Sequence, residues 1–111
     1  MTSGADLLEL YGNILAASQQ MLTLAKAEEW DALVDKELER RQLVGNLRTA
    51  LEETPEPFDA PQRLRSEDLI KNILALDAET RTLAENWMAE LDQRLNSVST
   101  SRRLQNTYLA P

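Results

Sequence analysis

Residues 66–98 read SEDLIKNILALDAETRTLAENWMAELDQRLNSV, with no glycine and no proline among them. Leu69, Ile73, Leu76, Thr80, Leu83, Trp87, Leu91, Leu95 and Val98 recur there at alternating three- and four-residue steps, which is one face of an α-helix. A second row, Ile70, Leu74, Ala84 and Met88, lies beside the first, so the apolar stripe is wider than a two-position coiled-coil seam. A helix of about 31 residues is about 47 Å long at 1.5 Å per residue. It cannot bury such a stripe alone, and the rest of the chain is expected to cover it. Ser66 is read as the N-cap, with Glu67 and Asp68 in a first turn where carboxylates favour the positive end of the helix dipole.

Working outward, the preceding segment is a connector, residues 54–65. Thr54 to Pro61 holds three of the four prolines, which cannot continue a helix and push their preceding residues toward extended backbone. Phe58, the only phenylalanine, is expected to plug one end of a bundle. A second helix, about residues 29–53, runs through Trp30, Leu33, Val34, Leu38, Val44, Leu47 and Leu51. Its middle is polar, and Glu37 and Arg40 are read as an exposed face, with Glu37 and Arg41 able to pair four residues apart. The first helix covers about residues 5–27, with Leu8, Leu15 and Leu22 in one row and Leu7, Ile14 and Met21 beside it. Ser3 is its candidate N-cap, and Asp6 suits its first turn. The junction near Glu28 has neither glycine nor proline. Local chemistry leaves one rod or two helices open there, and packing favours two. Gly12 and Gly45 fall inside helices, which suggests close helix approach or a groove widened for a partner.

Past Asn96 the pattern weakens into Ser97, Ser99, Thr100 and Ser101. Residues 99–111 are expected to be a short helical or mobile segment, with Leu104 and Tyr108 four apart on one face; helices so short are marginal alone. The expected architecture is therefore all-α: an antiparallel bundle of three long helices in residues 1–98 plus a short C-terminal helix.

With 111 residues the chain makes one small domain. It has no cysteine and no histidine, which removes disulfides, thiol nucleophiles, the usual zinc sites and imidazole acid–base chemistry. The formal net charge is −7, unsuited to phosphate backbones or anionic membranes, and no apolar run approaches the roughly 20 residues that span a bilayer. A cytoplasmic protein without nucleic-acid partner or membrane insertion is expected. Carboxylate pairs such as Glu28 with Asp31 sit among ordinary surface charge, and no glycine-rich phosphate loop is present. Neither enzyme activity nor a metal or cofactor is expected. Glu37, Arg40, Arg41 and Arg48 resemble the helix-borne arginines of chorismate mutases, but they alternate with acids, whereas such a site needs cations converging on a dianion.

The run Ser18-Gln19, Leu22, Leu24-Ala25, Glu29-Trp30-Asp31 and Leu33, followed by Arg102, Leu104, Asn106 and Tyr108 near the C-terminus, resembles the FliT family of flagellar export chaperones. Glu28 stands where relatives often carry glycine. The resemblance implies a helical bundle that binds the C-terminal region of the filament-cap protein, keeps it monomeric and delivers it to the type III export gate. It implies too that the final helix folds over the client groove and serves contacts with the export ATPase complex and the flagellar master regulator. Arg102, Leu104, Asn106 and Tyr108 are the positions for that tail, with Tyr108 expected to be a contact whose loss leaves the melting temperature unchanged. Three helices enclose only part of the stripe, so Leu69, Ile73, Leu76 and Leu83 with Leu43 and Leu47 are the expected client groove. The alternative is a self-associating scaffold, a homodimer without a client.

Overall fold

A computed structural model describes residues 2–94 and 98–109, and every regular element in them is helical. Helix α1 spans Gly4–Lys26, α2 Trp30–Glu53, α3 Ala60–Arg94 and α4 Val98–Leu104, followed by a single π-helical turn, Gln105–Leu109. Leu95, Asn96, Ser97 and the Val98 side chain, at the end of the long stripe, lie outside the described residues. The 35 residues of α3 correspond to about 52 Å of helix, and the molecule is 52 Å long and about 20 Å across. Among the described residues no helix is long and apolar enough to cross a membrane.

The start of α1 is as its sequence suggests. The Asp6 amide donates to Ser3 Oγ at 3.2 Å and the Ser3 amide donates back to Asp6 Oδ2 at 3.0 Å, a reciprocal box that satisfies two otherwise orphaned donors. The Ser3 amide first, and then the Ser3 hydroxyl, hold the Asp6 carboxyl below its ordinary pKa. Helix α3 begins six residues earlier than expected. Asp59 is its N-cap: the Gln62 amide donates to Asp59 Oδ1 at 2.8 Å, and the Asp59 amide donates to Gln62 Oε1 at 3.1 Å. Pro61 sits in the first turn, where its missing N–H would have had no partner. Ser66 is a buried mid-helix residue donating to the Arg63 carbonyl at 2.7 Å, so the true connector is only residues 54–59. Here Gly4 matters. A Cβ on it would lie 2.5 Å from the Pro57 carbonyl oxygen, so the connector passes against the start of α1 only because no side chain stands there.

Between α1 and α2 the chain turns sharply and makes two helices. The Glu28 amide donates to the Ala25 carbonyl and the Glu29 amide to the Leu24 carbonyl, the paired bonds of a Schellman cap. Such a cap needs a left-handed residue, and Glu28 supplies it with φ 58°. A side chain there is strained by about 1 kcal/mol. Glu28→Gly is therefore expected to raise stability by roughly 1 kcal/mol, an increase of about 4 °C in melting temperature. A melt with no increase would mean that the turn carries no strain.

Helix α1 is the centre of the bundle, packed along its length on both α2 and α3. The sequence had suggested α3 for that place. The apolar core lies in two clusters. One, at the hairpin end, joins Met21, Ala25, Trp30, Leu33, Val34, Ala84, Met88 and Leu104, with the Trp30 and Trp87 rings 5.2 Å apart. The other joins Leu7, Ile14, Leu47 and Ala50, with Phe58 and Tyr11 against it, so Phe58 does cover that end. Gly12 and Gly45 allow no close helix approach: a Cβ on either meets nothing within 4 Å. Each nonetheless costs roughly 1 kcal/mol relative to alanine in a helix interior.

Candidate functional site

The two apolar clusters are separated by a polar group drawn from all three long helices. Ser18, buried in the middle of α1, donates its hydroxyl to the Ile14 carbonyl at 2.9 Å and accepts from Arg40 Nη1 at 2.9 Å. The same guanidinium nitrogen donates to Asp77 Oδ1 on α3, while Nη2 donates to Glu37 Oε2 at 2.8 Å. Arg41 Nε reaches the other Glu37 oxygen at 3.4 Å, so the expected four-residue pair is present. Arg40 and Glu37 do not form an exposed face; both side chains are 14% exposed. Burial disfavours the charge on Arg40, but the Asp77 hydrogen bond and the charges of Glu37 and Asp77 outweigh it and hold the guanidinium above its ordinary pKa. A long, planar, five-donor cation is the side chain able to serve three acceptors on three helices at once.

Since α1 packs on both neighbours, the α2–α3 side is left as a cleft, and the Arg40–Asp77 bridge crosses it. On one side of the bridge the cleft is open, about 370 Å³, lined by Ile14, Val44, Gly45 and Ile73 with Arg41 and Arg48 at its edge. On the other side, about 340 Å³, it is lined by Leu74, Ala78 and Arg81 and by Thr107 and Tyr108 of the C-terminal segment.

That segment is docked on the bundle. Leu104 is fully buried among the hairpin-end cluster, and the Tyr108 ring packs against the same residues. Arg103 donates to Asp31 Oδ1 at 2.6 Å and to Asp35 Oδ1 at 3.0 Å, and Arg81 Nη2 donates to the Tyr108 carbonyl at 2.8 Å. The Arg103 pairs are exposed and screened by solvent, so they orient the segment while burial of Leu104 holds it. Burial, and then the nearby Glu37 charge, push the Tyr108 phenol above its ordinary pKa. Trp30 Nε1, Thr80 Oγ1 and Tyr108 Oη are buried with no hydrogen-bond partner among the described residues. Each such atom costs on the order of 1–3 kcal/mol.

A family model, described as flagellar protein FliT, matches residues 8–110. The chain belongs to the FliT family. A FliT protein of Photorhabdus laumondii is 30% identical over 108 residues, covering 97% of this chain and 85% of its own. One of Pectobacterium carotovorum is 28% identical over 109 residues, 97% of this chain and 84% of its own, and one of Yersinia pseudotuberculosis 29% over 102, 92% and 83%. No solved structure matches the chain.

In this FliT chain the residues expected to form a client groove occupy different environments. Leu47 and Leu69 are buried in the bundle; Leu43, Ile73, Leu76 and Leu83 are half-buried. Of the six, Ile73 alone lines the open cleft, beside Gly45, which the sequence offered as a groove-widening position, and Ile14 and Val44, which it did not assign to a groove. In the tail, Arg102 and Asn106 are exposed, Arg103 is ion-paired, and Leu104 and Tyr108 are packing residues. Tyr108 is thus no free contact whose loss would leave stability untouched. A signal for the polar girdle was present: Ser18, Arg40 with Glu37, and Thr80 with Asp77 interrupt three apolar faces at one level of an up-down-up bundle. The chorismate-mutase comparison fails on the same geometry. Arg40 and Arg41 are already matched by carboxylates, and Arg48 alone cannot supply the several cations that must converge on a dianion.

Proposed function

We propose that this chain is a flagellar type III export chaperone. It binds the C-terminal region of the filament-cap protein in the cytoplasm, keeps it monomeric and delivers it to the export gate. The C-terminal segment, through the exposed Arg102 and Asn106, serves contacts with the export ATPase complex and the flagellar master regulator. The observation that carries the reading is the cleft between α2 and α3 in a chain of a flagellar family: its lining sets the apolar Ile14, Val44 and Ile73 among charged side chains, it lies on the surface, and on that side of the Arg40–Asp77 bridge the chain's own tail does not line it. A helix laid in such a groove buries its apolar face where this bundle has none of its own to offer.

The test is co-purification with the filament-cap protein's C-terminal region, followed by calorimetric titration. Saturable binding near one to one with a negative heat-capacity change, the mark of apolar burial, is expected. Ile73→Asp with Leu76→Asp is expected to abolish it in a chain that stays helical by circular dichroism. Absence of binding by the unaltered chain would overturn the reading. A second reading has its own observation: Ile70 and Leu74, four apart on α3, are exposed, Leu74 by 62%. A homodimer would seal that row, and sedimentation would then show a dimer that persists when client is added.

A further inference from the structure

Gly45 is a helix breaker by propensity in the middle of α2, yet the bundle makes no use of its small size. A Cβ there would meet nothing within 4 Å. Its φ is not positive, so the backbone does not require glycine either. What the missing side chain does is open one wall of the cleft, beside Val44 and across from Ile73. The same stretch of cleft has an unbalanced charge. Three arginines, Arg40, Arg41 and Arg48, line it against two carboxylates, Glu37 and Asp77. Arg40 and Arg41 are held by those carboxylates, whereas Arg48 makes no ion pair among the described residues. In a chain of net charge −7, this cleft carries a cation to spare. Gly45 and Arg48 are three residues apart and therefore neighbours on one face of α2.

We propose that Gly45 and Arg48 are the specificity-determining residues of the cleft. Gly45 lets the backbone of a client helix lie close against α2. Arg48 selects a client helix that carries an aspartate or glutamate about one turn from the apolar residues seated on Ile14, Val44 and Ile73. The inference rests on the chaperone reading above and adds to it the chemistry of the helix that is accepted: amphipathic, small where it crosses Gly45, acidic at one edge.

The full chain and its variants are titrated calorimetrically with a peptide of the filament-cap protein's C-terminal region, each variant melted in parallel. Gly45→Ala is expected to raise the melting temperature by roughly 4 °C and yet weaken binding several-fold. Gly45→Leu is expected to weaken binding at least tenfold without lowering the melting temperature. Arg48→Glu is expected to weaken it about tenfold at low salt and less at high salt, and a peptide with its acids changed to lysine is expected to regain affinity for Arg48→Glu alone. Unaltered affinity in Gly45→Leu and Arg48→Glu, with the unaltered chain binding normally, overturns this inference and leaves the chaperone reading standing. No binding by the unaltered chain overturns both.

Discussion

Replacing Arg40 by alanine is expected to destabilise the protein by about 2–3 kcal/mol, read as a lower urea midpoint with an unchanged slope. The change leaves two carboxylates from two helices facing a position their counter-ion has vacated. Breaking a fully buried pair costs about 3–5 kcal/mol. The figure here is smaller because the Asp77 side chain is 35% exposed and can turn to water, and because Glu37 keeps Arg41. Ser18 also keeps the bond it donates to Ile14. The companion variant, Arg40→Leu with Asp77→Leu, replaces the bridge by apolar bulk and is expected to recover most of the loss, since a buried ion pair seldom outperforms well-packed hydrocarbon. A loss below about 0.5 kcal/mol for the alanine variant would place Arg40 with ordinary surface charges.

Leu104→Asp is expected to release the C-terminal segment while the three long helices stay folded. Leu104 is fully enclosed by Met21, Trp30, Leu33 and Met88 with their neighbours. Removing a buried leucine costs about 2–5 kcal/mol, and a carboxylate in that place would be unpaired, which costs more. The segment leaves before the bundle yields because its remaining ties are the half-buried Tyr108 ring, solvent-screened Arg103 pairs and one backbone bond from Arg81. A shift of about 3 kcal/mol multiplies the undocked population by more than a hundred, each 1.4 kcal/mol being roughly tenfold. The expected readouts are trypsin cleavage at Arg102 and Arg103 faster by that order, a red shift in the emission of Trp30 and Trp87, and helical circular dichroism within a few per cent of the unaltered chain. Unchanged cleavage and emission would mean that the segment is held by something other than Leu104.

The helices, and most of their ends, were legible in the sequence because each depends on residues a turn or two apart. The three- and four-residue spacing of the stripe, Ser3 with Asp6, and the proline run between α2 and α3 all act locally. The misplaced start of α3 shows the limit of that reasoning. Three prolines read as one long breaker, yet Pro61 is tolerated once Asp59 and Gln62 cap each other. Glu28 shows it again, since nothing in an acidic residue announces a left-handed turn.

The candidate site was legible only in part, as its residues are far apart in the chain. Ser18, Arg40 and Asp77 each look like a polar interruption suited to solvent. They become a satisfied network when Arg40 of α2 reaches both the serine of α1 and the aspartate of α3. Leucines of one periodic stripe, likewise, share a helix face but not a fate: Leu69 is buried, Ile73 lines the cleft, and Leu74 of the second row is exposed. By itself, the sequence determined an all-helical chain of the FliT pattern, with its long third helix and its short final one, because helical periodicity and caps are written in near neighbours. The tertiary structure alone decided that α1 is the central helix, that a cleft opens between α2 and α3, and that Arg40 bridges it. Those are relations between surfaces, settled by which faces can be buried together once the charges caught between the helices have found partners.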